Sequence, residues 1–185
     1  MTFFNILSLA DFMTPEEIDT VLESFSEFYF QLTSKHQRRI RLYMIAGEVG
    51  HIHIRESAER YKLQDLIEVV SSDDEKVIRN VYQAASVLFL PLQESIGEII
   101  PEALAFGLPV LCYDTEDMRE YLDQTCGMFV RPRTFAQSIL AFTEKIHMLY
   151  FDPEARKLLK KGAKRKFGLT FGWNRYEGIE VGAGN

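Results

Sequence analysis

Residues 91–110 read Pro91-Leu92-Gln93-Glu94-Ser95-Ile96-Gly97-Glu98-Ile99-Ile100-Pro101-Glu102-Ala103-Leu104-Ala105-Phe106-Gly107-Leu108-Pro109-Val110. The apolar run Val87–Leu90 precedes this stretch and Val110–Tyr113 closes it, and both have strand length. Between them Pro91 ends a strand, a polar loop follows, and a helix runs until Gly107 stops it. The stretch is a strand–loop–helix–strand unit. It carries Glu94 in the loop and Glu102 eight positions later in the helix.

Four more apolar runs of strand length lie outward from this unit: Phe4–Leu9, Ile40–Ala46, Leu66–Val70 and Met128–Val130. All six are nearly continuous rather than alternating, as in strands covered on both faces. Helical segments separate them. Thr14-Pro15-Glu16-Glu17 is a capping box with Pro at the first helical position, followed at helical spacing by Ile18, Val21, Leu22, Phe25, Phe28 and Leu32. Ser72 with Glu75, Thr134 with Gln137, and Asp152-Pro153 read as further helix starts, and a helix is expected near 52–62. The alternation predicts an α/β fold, a Rossmann-like doubly wound parallel sheet of about six strands. Ligands of such sheets bind beyond the carboxyl ends of the strands. Those ends are Ala10–Asp11, Gly47–Gly50, Ser71–Asp73, Pro91–Gly97, Asp114–Asp117 and Arg131–Arg133.

Composition narrows the function. The 185 residues fit one domain, at a prior of about 150 residues per domain. Hydrophobic residues at 46% and charged residues at 26% exclude a disordered chain. The apolar runs are too short to span a bilayer, and Met1–Leu9 lacks the basic start of a signal peptide, so a cytosolic protein is expected. Cys112 and Cys126 form no metal pattern and read as reduced core thiols. His51 and His53 have no Cys or carboxylate partner at ligand spacing. Phe25, Phe28, Tyr29 and Phe30 read as core and rim, and Trp173 as a packing anchor. No Gly-x-Gly-x-x-Gly follows the first strand, and no phosphate loop ends in Gly-Lys-Ser/Thr.

The net charge of −6 speaks against nucleic acid as a partner. It hides an asymmetry: residues 1–130 hold 10 basic and 22 acidic side chains, residues 131–185 hold 11 and 5. The basic excess lies in Arg156, Lys157, Lys160, Lys161, Lys164, Arg165 and Lys166, which helical spacing gathers on one broad face, with Leu158, Leu159 and Ala163 opposite. Such a face is either solvated or suited to an acidic partner or an anionic membrane surface, at about 1 kcal/mol per basic residue near lipid.

Glu94, Glu102, Ala103, Gly107, Pro109 and Val110 fall in register on the pattern Glu, seven residues, Glu-Ala, then Gly-x-Pro-Val. In this the chain resembles the C-terminal, donor-binding domain of GT-B-fold glycosyltransferases, specifically the retaining family 4 type. The likeness runs along the chain, from Ile6–Leu9 through Asp73–Ser86, Tyr113–Glu120 and Gly127–Pro132 to Asp152-Pro153-Glu154, Ala163–Phe167 and Phe171-Gly172-Trp173. Nothing resembles the acceptor-binding N-terminal domain, so residues 1–185 are expected to be one donor-binding domain, half of a GT-B fold.

The resemblance implies a nucleotide-diphosphate sugar as donor, a hexosyl unit as the group transferred, a glycan or glycolipid acceptor, and no cofactor or metal. It implies that Glu94 takes hexose hydroxyls as the catalytic-site carboxylate and that Glu102 takes the ribose. A carboxylate accepts two hydrogen bonds from vicinal hydroxyls. Ser95, Ile96, Gly97 and Glu98 would bring backbone N–H groups to the diphosphate, with Gly97 allowing close approach. Glu98, four residues before Glu102, is expected to face solvent. The family clamps the diphosphate with an Arg after the first strand and a Lys at the start of the first helix. Asp11 and Glu16 occupy those places here, reversing both charges. At about 4 Å and an effective dielectric of 20 a unit charge is worth about 4 kcal/mol, an upper bound for each reversal. Glu116-Asp117-Met118-Arg119 replaces a Gly-rich loop, with Arg119 as the one offsetting charge. The alternatives are a non-catalytic relic or partner-binding subunit of the same fold, and a GT-B sugar-nucleotide epimerase.

Overall fold

The computed structural model describes residues 3–93, 97 and 99–172. Six strands form one parallel sheet: β1 (Phe4–Leu9), β2 (Ile40–Ala46), β3 (Ile67–Ser71), β4 (Val87–Leu90), β5 (Val110–Tyr113) and β6 (Gly127–Val130). Their order is β3-β2-β1-β4-β5-β6. The helices are α1 (Pro15–Phe30), α2 (Ser34–Gln37), α3 (Glu48–Arg60), α4 (Glu75–Ala84), α5 (Ile99–Ala105), α6 (Glu116–Tyr121), α7 (Phe135–Phe151) and α8 (Pro153–Thr170). Trp173 and the tail Val181–Asn185 lie outside the described residues.

The continuous apolar runs have the expected cause. Strands β1, β4 and β5 are buried at every position, while edge strand β3 exposes Glu68 and Ser71. One core layer packs β1 and β4 against α1, α3 and α7 around Phe25, Phe28, Phe89 and Phe142. The other packs the opposite face against α4, α5 and α8 around Leu88, Leu90, Ile100, Leu104 and Cys112. Burial of this second layer pushes the Cys112 thiol up to about 12, and both cysteines are free.

Helix starts show which signals are local. The Thr14–Glu17 capping box forms in full. The start of α4 departs from expectation: Asp74, not Ser72, caps it by accepting the Val77 N–H at 3.0 Å. Thr134 stands at the N-cap of α7 without a side-chain bond. Helix α3 begins at Glu48, several residues ahead of the expected 52, and takes in both His51 and His53. Gly47 has no side chain to announce that start. The short helices α2 and α6 were not expected, and Thr115 caps α6 by accepting the Met118 N–H.

The single basic face expected on α8 does not form, because one of its two rows packs inward. Arg156 donates to the Leu149 and Tyr150 carbonyls, and Lys160 donates to the Ala85 carbonyl at 3.0 Å. The Lys164 stem covers Gly107. Lys166 pairs with Asp123 at 3.4 Å. Lys157, Lys161 and Arg165 stay exposed, and so does Leu158 at 66%, which the spacing had placed in the buried stripe. Long basic side chains lay their stems on apolar surface and carry their charged ends to carbonyls.

Two glycines of α8 test how closely it docks. A Cβ on Gly162 would overlap the Thr125 carbonyl oxygen, whereas nothing lies within 4 Å of one on Gly168. Gly→Ala inside a helix normally stabilises by about 0.8–1 kcal/mol. Gly168→Ala should raise the melting temperature accordingly. Gly162→Ala should lower it, by roughly 1–3 kcal/mol of overpacking. Thermal denaturation of the two variants checks both signs.

Candidate functional site

Strands β1 and β4 are neighbours, paired Ile6 to Val87 and Leu7 to Leu88. From that pair the chain builds outward through β2 and β3 on one side and through β5 and β6 on the other. Successive helices therefore leave β1 and β4 on opposite faces and a crevice opens beyond their carboxyl ends, the position where such sheets take ligands.

A cavity of about 300 Å³ lies there. Leu9, Phe12, Ile45, Ile78 and Ile99 give it apolar walls, and Asp11, Ser72, Tyr82 and Glu102 are its polar groups. Among the described residues no Lys, Arg or His lines it. Glu102 reaches it from α5 and stands beside Tyr82 of α4, both on the lining. Burial holds the Glu102 carboxyl above its ordinary value, and the Tyr82 hydroxyl works against that rise. Burial and the Glu102 charge both push the Tyr82 phenol upward, so it stays neutral. The Tyr82 ring is held in turn by Phe106, with centroids 5.1 Å apart.

Asp11 lies in a single 3-10 turn, Ala10–Phe12, directly after β1. Its Oδ1 accepts the Gly47 N–H at 2.6 Å, so the carboxylate caps α3 from outside that helix. A helix N-terminus favours negative charge there. Asp11 lines the cavity, while Glu16 stands exposed in the first turn of α1 and is not among the lining residues. The two residues sit on separate elements, the 3-10 turn and α1, and only the first faces α3.

Glu17 has a role the sequence reading missed. Its Oε2 accepts from the Thr14 N–H and hydroxyl, and its Oε1 accepts the Gln93 N–H at 3.1 Å. The capping box thus also holds the start of the loop after β4. Farther along that loop, Gly97 lies against Tyr121 of α6, and a Cβ at Gly97 would sit 2.6 Å from the Tyr121 hydroxyl. Glu94, Ser95, Ile96 and Glu98 lie outside the described residues. Arg119 does not offset the acidic crevice as expected. It pairs with Asp114 at 2.7 Å and lies 3.6 Å over the Phe129 ring. Gly107, at φ +70, ends α5 in the left-handed conformation that a glycine adopts without strain. Among the described residues no three His, Cys, Asp or Glu side chains converge to hold a metal ion. His53, on α3, approaches the Pro15 carbonyl at 3.3 Å and Asp19 at 3.8 Å.

This arrangement suits a flat or ring-shaped ligand that carries hydroxyls, set between apolar walls with a carboxylate at its polar edge. No curated protein matches the chain in sequence. Sucrose-phosphate synthase from Thermosynechococcus elongatus superposes with a TM-score of 0.74 at 20% identity, over 93% of this chain and 42% of that one. WaaG, a glycosyltransferase involved in lipopolysaccharide biosynthesis, gives 0.75 at 16% identity, over 94% and 45%. The C-terminal domain of the group 1 glycosyltransferase LpcC from Francisella tularensis gives 0.72 at 14% identity, over 92% and 88%. The chain thus spans less than half of the first two proteins and most of an isolated C-terminal domain. The model of the family glycosyl transferases group 1 matches residues 4–166, nearly the whole sheet and its helices. With the Glu-Ala…Gly-x-Pro-Val string inside that match and Glu102 set in the crevice at the β1–β4 reversal, the chain belongs to the glycosyl transferases group 1 family and has the architecture of a GT-B C-terminal domain.

Proposed function

We propose that this chain is the donor-binding domain of a retaining hexosyltransferase. It would take a nucleotide-diphosphate sugar and pass the hexosyl unit to a glycan or glycolipid acceptor held by a second domain. The observation that carries the reading is Glu102, half-buried on α5 and lining the crevice beyond the carboxyl ends of β1 and β4. Glu102 accepts the ribose hydroxyls, Glu94 the hexose hydroxyls, and the backbone of 95–98 meets the diphosphate. The reading includes a cytosolic location and peripheral contact with an anionic membrane through Lys157, Lys161 and Arg165, the exposed row of α8.

A second reading, a partner-binding subunit without catalysis, is favoured by one observation. Among the described residues that line it, the crevice offers a diphosphate no Lys or Arg side chain, and Asp11 already occupies the α3 N-terminus. Calorimetric titration with a panel of nucleotide sugars separates the two readings, since a relic binds none of them.

Glu102→Ala should weaken nucleotide binding by roughly 10- to 100-fold, the range for losing charged hydrogen bonds of about 1.5–3 kcal/mol. Affinity should also fall with acidity. The protonated carboxyl loses acceptor capacity, and since Glu102 titrates above the ordinary carboxylate value, the loss should begin at a higher pH than for an exposed glutamate. Glu102→Gln should flatten that profile. Titrations across the acidic range would show it, and an unchanged profile in Glu102→Gln would exclude the carboxylate.

Catalysis in a cleft between two domains carries its own expectation. The 185-residue chain alone should bind donor without turning it over. Multiple turnovers on any acceptor by the purified chain would overturn the shared cleft.

A further inference from the structure

We propose that Glu17 is a positioning residue for the sugar half of the donor: its carboxylate fixes the point from which the chain runs on to Glu94. The inference rests on the donor-site reading above, in which Glu94 takes the hexose hydroxyls, and goes beyond it by giving a side chain of α1 a part in donor binding. Glu17 uses both of its carboxylate oxygens. Oε2 accepts the Thr14 N–H at 2.8 Å and the Thr14 hydroxyl at 2.9 Å, at the start of α1. Oε1 accepts the Gln93 N–H at 3.1 Å, from 76 residues farther along the chain. Gln93 immediately precedes Glu94.

The residue type separates the two uses. A capping box is served by Gln as well as by Glu, because one acceptor oxygen satisfies the N-cap N–H. An amide carries a single acceptor oxygen, with a donor nitrogen in place of the second. With Thr14 and Gln93 on different oxygens, an amide at position 17 turns its NH2 group toward one of these N–H donors. Both contacts together require a carboxylate, and the helix start alone does not. The contact also joins the two faces of the sheet. Helix α1 packs in the layer around Phe25 and Phe89, whereas Leu92, next to Gln93, is buried in the layer that holds α5. The backbone ahead of Glu94 is thus held from both sides, by an apolar side chain on one and a charged acceptor on the other. A hydrogen bond to an ionised acceptor is roughly twice as strong as one between neutral groups.

Such a support bears on one part of the ligand. Gln93 adjoins Glu94, assigned above to the hexose, while Glu102, assigned to the ribose, stands on α5. Releasing the Gln93 N–H therefore costs affinity for the sugar and spares affinity for the nucleotide. The cost is one of ordering: a group held in its binding position before the ligand arrives need not be fixed when it does. A role confined to the helix cap has the opposite signature, a loss of stability with no change in what the sugar adds to binding.

The experiment is calorimetric titration of the whole chain with UDP, GDP and ADP and with UDP-glucose, GDP-mannose and ADP-glucose. The variants are Glu17→Gln, Thr14→Ala, Glu94→Ala, Glu102→Ala and the pair Glu17→Gln with Glu94→Ala, each with a thermal melt. The quantity read is the affinity for a nucleotide sugar divided by that for its nucleoside diphosphate, taken for the nucleotide that wild type binds best. Glu17→Gln should lower this ratio by roughly 2- to 10-fold, the net worth of about one hydrogen bond, with the melting temperature and the affinity for the diphosphate near wild type. Thr14→Ala, which removes the N-cap hydroxyl and leaves the Glu17 carboxylate in place, should lower the melting temperature and not the ratio. In the Glu94→Ala background Glu17→Gln should change the ratio no further, the non-additivity of two residues that act through one another. A ratio unmoved by Glu17→Gln, an equal fall in both backgrounds, or a ratio unmoved by Glu94→Ala overturns the positioning role. In each of these cases a loss of nucleotide binding in Glu102→Ala leaves the donor-site reading standing. Binding of none of the six ligands overturns both.

Discussion

The pairing of β1 with β4 is the constraint on which the rest of the molecule depends. It joins strands separated by two whole strand–helix units, and buried polar groups stitch it as well as apolar ones. The Ser8 hydroxyl donates to the Phe89 carbonyl at 2.7 Å, the Ser86 N–H donates to the Asn5 carbonyl at 2.7 Å, and Asn5 Nδ2 donates to the Ala84 carbonyl at 2.9 Å. A buried polar group left without a partner costs about 1–3 kcal/mol, so these bonds penalise any other neighbour for β1. Once β4 lies beside β1, the next strands must build outward on both sides. Helices then cover both faces, and the crevice follows as the gap between diverging connections.

The crevice gathers carboxylates because the basic groups that might balance them are held elsewhere. Arg119 is bound by Asp114 and lies over Phe129, at the far side of the sheet from Asp11. Arg156 and Lys160 carry their charges to backbone carbonyls of the α7 end and of Ala85. Burial lowers the pKa of both. Asp11 is balanced locally by the start of α3, whose Gly47 N–H orients it and leaves it acceptor capacity toward the cavity. Orientation of that kind matters more for selectivity than for strength, because it decides which hydrogen-bond pattern a ligand must present.

The loop after β4 is supported at both ends by residues distant in sequence. Glu17 holds Gln93, and Tyr121, stacked beside Phe171, lies under Gly97. A helix cap and an aromatic stack therefore set where the loop carrying Glu94 begins and where it enters α5. The sheet supplies the platform, and these two contacts tie Gln93 and Gly97 to it.

Much was legible in the linear order. Strands β1, β2, β4 and β5 are written as uninterrupted apolar runs, because both faces of an interior strand are covered. Edge strands β3 and β6 were legible to within one residue, β3 at both ends and β6 at its start, since their half-covered positions blur the run. The Thr14–Glu17 cap, the Gly107 stop and the spacing of Glu94 and Glu102 are local features, readable wherever they fall. Other features required the fold. Helix α3 starts at Glu48 because Asp11, 36 residues earlier, accepts the Gly47 N–H. Tyr82 meets Glu102 because α4 and α5 share one face of the sheet. The seven basic residues of α8 separate into half-buried Arg156, Lys160 and Lys166 and exposed Lys157, Lys161, Lys164 and Arg165 only when the helix docks, since spacing along a helix gives relative angle but not which side meets the protein. Sequence by itself determined what is encoded in near neighbours: the strands, most caps and the family motif. Tertiary structure alone decided which carboxylates share a cavity and which charges are already engaged, because those depend on contacts between residues that only the folded sheet brings together.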